Sequence, residues 1–169
     1  MYYHRRAIAK WICMSLTVWL LLTLQTMILP RFPLLGAHAL PAVAAVVAVA
    51  VLEGKHGGAS VGLFCGLVLD ALIPPGEAFF AVFLLAAGYI TGVVVSGFFQ
   101  KNVWTALIWC AGLLFIMELL YFFIFFFMPG RAGWRAFAEA GLTEILLTLP
   151  FIPFVYLIFR LLHVRFAEK

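Results

Sequence analysis

Gly57-Gly58-Ala59-Ser60-Val61-Gly62-Leu63-Phe64-Cys65-Gly66-Leu67-Val68-Leu69-Asp70 opens a stretch that runs through Pro74-Pro75-Gly76-Glu77 to Gly88-Tyr89-Ile90-Thr91-Gly92 and Ser96. Gly58, Gly62, Gly66 and Asp70 recur at every fourth position. Four residues advance an α-helix by about 400°, so each step drifts only about 40° around the axis. The first part therefore reads as a helix with a glycine groove along one face and a carboxylate at its far end. Gly88, Gly92 and Ser96 repeat the spacing on a second helix. Small residues so placed let two helix backbones approach closely inside a membrane. The stretch 57–97 is expected to be an inverted helical hairpin packing the centre of a small integral membrane protein. Its glycine face either meets Gly88 and Gly92 or stays open as a groove for a partner's helix.

Composition points the same way. Of 169 residues, 66% are hydrophobic and only 11% charged, against about 25% charged in a soluble domain. The net charge of +4 comes from basic residues scattered at segment ends, which argues for a membrane topology signal and against nucleic-acid binding. Cys13, Cys65 and Cys110 lie inside apolar runs, without CxxC spacing or neighbouring histidines. They read as packed thiols, not as a disulfide or metal site. His4, His38, His56 and His163 all fall at segment ends, so no metal and no cofactor is expected. The N-terminal run 11–29 follows Arg5, Arg6 and Lys10 and resembles a secretory signal. At 19 residues it exceeds the roughly 7–15 of a signal core and matches a retained span.

Six hydrophobic segments are drawn at about 11–29, 39–54, 57–73, 78–99, 103–128 and 141–161. They make one integral membrane domain over 1–169, of the all-α class with about six transmembrane helices. A span needs about 20 residues. The first, fourth, fifth and sixth segments meet this, while the second and third are short, leaving tilted or partly re-entrant paths open to them. With the N-terminus inside, the cytoplasmic side receives Arg5, Arg6, Lys10, Lys55, Lys101, Arg160, Arg165 and Lys169, and the outer side only Arg31, Arg131 and Arg135. This asymmetry places both termini in the cytoplasm. Pro150 lacks an N–H and crowds the carbonyl of Leu146, so a kink is expected in the sixth segment. The fifth carries aromatics on every side, from Phe115 to Phe127, and reads as facing lipid or a partner's helix.

Three acids lie within the segments: Asp70, Glu118 and Glu144. At about 1.5 Å per residue all fall in the outer part of the bilayer, on the side flanked by Arg31, Arg131 and Arg135, which are candidate ion-pair partners for them. Carboxyl groups there are costly and must face protein or water. They form either a polar cavity and docking point or an internal hydrogen-bonded brace. No catalytic residues are assigned. Ser60 superficially resembles an intramembrane nucleophile, but no base or oxyanion-hole arrangement accompanies it. The glycines continue a helix and do not follow a strand, which excludes a phosphate-binding loop.

The pattern Gly62-x-x-x-Gly66-Leu67-x-x-Asp70, a turn with Gly76, then Gly88-Tyr89-x-x-Gly92 resembles the core of the MreD family, the rod shape-determining membrane proteins of bacteria. Chain length, segment count and the early Arg31-Phe32-Pro33 turn add to the resemblance. It implies a non-enzymatic component of the cell-elongation complex in the bacterial cytoplasmic membrane, helping to organise lateral peptidoglycan synthesis. The implied direct partner is MreC. MreB, RodA and a class B penicillin-binding protein would be indirect partners, and self-association is left open. The size and span count also resemble the substrate-binding components of energy-coupling factor vitamin transporters, whose compact helical bundle this chain is expected to share. That family presents a small-xxx-small surface on its first helix, which the run 11–29 lacks.

Overall fold

The computed structural model describes residues 2–28, 39–73, 78–98, 102–130 and 137–167, all helical apart from short turns, with no strand among them. The helices are α1 (Tyr2–Thr23), α2 (Pro41–Glu53), α3 (Lys55–Leu72), α4 (Phe79–Phe98), α5 (Val103–Phe122), α6 (Leu142–Thr148) and α7 (Phe151–Ala167). α1 and α5 each end in a wider π-helical turn, Leu24–Ile28 and Phe123–Phe127, and a third π turn, Phe137–Gly141, leads into α6. Arg31, Arg131 and Arg135 lie outside the described residues, as do the Pro74–Glu77 turn and Lys101.

Four stretches are long and apolar enough to cross a membrane: Ala9–Met27, Phe79–Gly97, Val103–Phe127 and Leu142–Arg165. Many of their large side chains are exposed, among them Trp19, Leu20, Val82, Trp104, Ile108 and Phe154. In water such a surface would drive aggregation, whereas lipid tails match it. The chain is an all-α membrane protein. α2 is the shorter apolar helix, with 13 residues. α3 has 18 residues but falls outside the four, its apolar content diluted by Lys55, His56, Asp70 and four glycines.

The centre of the bundle differs from the sequence expectation. It is α2, not the glycine hairpin. Every residue from Pro41 to Leu52 is buried, and α1, α3, α4, α5 and α7 all pack around the helix. A helix apolar on all sides has no solvent face to offer and is stable only when enclosed. The alternating alanines and valines of α2 keep it thin enough for five neighbours. Met14, Val18, Leu69, Leu84, Leu114, Tyr156 and Phe159 share one core cluster with it.

α3 and α4 form the closest helix pair. A Cβ added to Gly62 would collide with the Leu84 carbonyl, one on Gly66 with the Ala81 backbone, and one on Gly92 with the Lys55 backbone. Gly58 and Gly88 face one another's carbonyls in the same way. The groove is thus filled by α4. Gly58 also abuts Ala50 of α2, so the hairpin locks onto the central helix. Ser96 is a correction. It is exposed, and its hydroxyl donates to the Val93 carbonyl within its own helix. Two four-residue steps of about 40° carry it from the contact that Gly88 begins.

Gly54 alone joins α2 to α3, at φ 82°. That left-handed backbone favours glycine. Beside it Glu53 receives Lys10 Nζ of α1 at 2.7 Å and meets His163 Nδ1 of α7 at 2.6 Å. One carboxylate so ties three helices at this end of the bundle. Pro150 breaks the sixth segment: α6 ends at Thr148 and α7 restarts at Phe151, as the missing N–H requires.

Because backbone lies directly opposite Gly66, Gly66→Leu is expected to lower the stability of the purified protein by about 3 kcal/mol or more. A thermal melt in detergent checks this. An unchanged melting temperature would mean that the α3–α4 contact is loose.

Candidate functional site

Each interior polar residue poses the same question: which group needs it? An α-helix begins with N–H groups that lack intrahelical partners, and in a bilayer no water serves them. α4 is preceded by Ala78, whose side chain cannot cap. Asp70, from the end of α3, does so instead. Its Oδ1 accepts from Phe80 N at 3.0 Å and its Oδ2 from Ala81 N at 2.7 Å. These are the second and third residues of α4, the pair that a residue at the N-cap position usually serves. The negative charge also lies at the positive end of the α4 dipole. Asp70 is therefore a brace between helices, bonded to backbone, and the choice between brace and cavity resolves as brace at this position.

α2 has the same need and meets it twice. Leu40 and Pro41 supply no side-chain acceptor, and Pro41 has no N–H to satisfy. Gln25 Oε1 accepts from Ala42 N at 2.9 Å, and Thr148 Oγ1 accepts from Leu40 N at 2.9 Å. Thr148 passes its own proton to the Glu144 carbonyl at 2.7 Å. The π turn at Leu24–Ile28 carries Gln25, which is buried. Sequence reasoning missed Gln25, Thr148 and Glu53. The available signals were an amide alone in an apolar run, a threonine just before Leu149-Pro150, and an acid beside a one-glycine joint.

Glu118 and Glu144 are brought together. Glu118 of α5 is buried, with 8% of its surface exposed, and lies beside Glu144 of α6. They line a cavity of about 190 Å³ with Tyr121, Phe122, Phe126, Phe137 and Gly141. Some aromatics of α5, a helix expected from the sequence to face mostly lipid or a partner's helix, pack within the chain instead. Tyr121 packs on Phe79 at 5.5 Å and on Phe125 at 5.0 Å, and Phe122 on Phe137 at 5.4 Å. These rings join the end of α5 to the start of α4 and to the π turn before α6. Of the three acids, two share a site and the third, Asp70, is bonded elsewhere at the same end of the bundle.

No group of three or more histidine, cysteine or acidic side chains able to hold a metal occurs among the described residues. Cys65 and Cys110 are buried free thiols and Cys13 is a partly exposed one. Ser60 Oγ donates to the Gly57 carbonyl at 3.0 Å, a helix back-bond and not a catalytic contact. Compared with family models, with curated proteins and with solved structures, the chain matches none.

The Asp70 cap is open to direct test. Asp70→Asn keeps one acceptor oxygen and is expected to cost about 1 kcal/mol, whereas Asp70→Leu orphans two N–H groups and should cost about 2–4 kcal/mol. Equal melting temperatures for the two variants would show that only the charge matters.

Proposed function

We propose that this chain is a non-enzymatic component of the bacterial cell-elongation complex, of the MreD type. It binds MreC and helps organise lateral peptidoglycan synthesis and cell shape, with MreB, RodA and a class B penicillin-binding protein as indirect partners. The observation that carries the reading is the use made of the residues behind the resemblance. Gly62, Gly66, Gly88 and Gly92 are spent on backbone contact, and Asp70 on capping α4. A motif spent wholly on packing and capping builds a rigid scaffold, and a scaffold suits a protein whose work is to hold partners. The protein sits in the cytoplasmic membrane with both termini inside. In this reading α2 and α3 complete a set of six crossings, α2 doing so wholly inside the protein.

A second reading, the substrate-binding component of an energy-coupling factor transporter, is favoured by one observation, the cavity beside Glu118. Its volume of about 190 Å³ is below the roughly 300–1,000 Å³ of ordinary ligand pockets, and this counts against a vitamin.

Affinity purification from native bacterial membranes separates the two. Recovery of a single-span protein with a periplasmic coiled coil is the expected result. Recovery of a pair of ATPases with a coupling subunit would overturn it. For topology, single cysteines at Lys101 and Glu168 in a cysteine-free background are expected to resist an impermeant thiol reagent in intact cells, and one at Gly133 to react. Labelling of Glu168→Cys from outside would reject the six-crossing arrangement.

A further inference from the structure

The two ends of the bundle differ in charge. Asp70, Glu118 and Glu144 lie at one end, where Tyr121 of α5 packs on Phe80 of α4 at 5.4 Å. At the other end Glu53 ties Lys10 and His163 together. Lys55 opens α3 two residues after Glu53, and Arg160 and Arg165 lie within a turn of His163 on α7. Lys55, Arg160 and Arg165 are exposed. Among the described residues none of the three has an ion pair, and no acid is exposed. Glu53, the acid described at this end, is already engaged by Lys10 and His163.

Arg160 is not placed like an ordinary solvated charge. It lies inside the crossing Leu142–Arg165, five residues, or about 7.5 Å, before its last residue. Leu157, three residues before it, and Val164, four after it, share its face of α7. These two are 46% and 42% exposed, and Leu161 beside them is 69% exposed. When the chain spans a bilayer, such side chains meet acyl chains. An arginine stem can lie along them while its guanidinium reaches toward the headgroups.

This setting selects the partner. A water-soluble acidic protein would have to enter the lipid layer to reach Arg160. A phospholipid brings acyl chains for the leucines and valine and an anion for the guanidinium in one molecule. Guanidinium and phosphate match through two parallel hydrogen bonds. A zwitterionic headgroup also brings its own cation to an end that already carries Lys55 and Arg165 without an exposed acid. An anionic headgroup brings none.

We propose that Arg160, with Leu157, Leu161 and Val164, forms a binding site for an anionic phospholipid of the phosphatidylglycerol type. The inference goes beyond the scaffold reading and does not depend on it. It rests on α7 crossing the membrane.

The test uses the full chain in nanodiscs of equal phosphatidylglycerol and phosphatidylcholine with the same acyl chains. Lipid retained after delipidation is read by native mass spectrometry. Phosphatidylglycerol is expected to be retained about fivefold over phosphatidylcholine, the ratio one cation near the headgroups provides. The preference should fall to near unity in Arg160→Gln and persist in Lys55→Gln, which removes an equal charge from the same end. Val164→Glu serves if Arg160→Gln does not fold. It sets a carboxylate one turn from Arg160, supplies the anion from within the chain, and should abolish the preference with Arg160 in place. No preference in the unaltered protein would overturn the proposal, as would a preference that survives Arg160→Gln, or Val164→Glu where Arg160→Gln does not fold. Equal loss in Lys55→Gln and Arg160→Gln would overturn it too, because the attraction would then belong to the whole charged end. In nanodiscs of phosphatidylcholine alone, inorganic phosphate is expected to leave the melting temperature unchanged. A saturable rise that Arg160→Gln removes would make the ligand a free anion and reject the lipid.

Discussion

Helices that begin inside an apolar environment must find acceptors for their first N–H groups within the protein, and this bundle depends on how it meets that demand. α2 and α4 follow Leu40 and Ala78, neither of which can cap. Their acceptors come from other helices: Gln25 of the α1 π turn, Thr148 of α6, and Asp70 of α3. Each bond therefore does two things. It removes the cost of a bare helix end, and it fixes the position of one helix against another, for Thr148 across 108 residues of chain. A capping residue on its own helix could not do the second.

The caps also account for the burial of α2. A helix of 13 residues spans only about 20 Å and is too short to cross a bilayer in contact with lipid. Enclosed by five neighbours, it meets no lipid and needs no such length. Its beginning is held by Gln25 and Thr148, and its end by the Glu53 cluster with Lys10 and His163. The glycine hairpin then packs on it through Gly58 and Ala50. α3 and α4 approach so closely that backbone meets backbone. Such a contact gains dispersion energy from many atom pairs without ordering long side chains, and lipid provides no hydrophobic driving force between helices that would replace it.

Against this background Glu118 and Glu144 stand apart. Removing Asp70, Gln25 or Thr148 would leave a helix end bare, so the fold explains why they are there. Nothing in helix construction calls for two glutamates beside a set of rings. A buried ionisable group such as Glu118 is a natural place to look for function in a membrane protein.

Much was legible in the sequence because it followed from local periodicity. Glycine spacing marked the faces of α3 and α4, Pro150 marked the break before α7, and run length separated four membrane-crossing helices from two shorter segments. These are properties of one helix at a time, set by a 3.6-residue repeat and by backbone chemistry. Other features could be decided only by the tertiary structure. That α2 is the axis depends on five neighbours, whereas its run of alanine and valine reads equally well as a weak span. Sequence depth alone grouped Asp70 with Glu118 and Glu144. The fold separated them, because a carboxylate's role is set by the donor it faces, and the Phe80 and Ala81 N–H groups reach Asp70 only once the hairpin has closed.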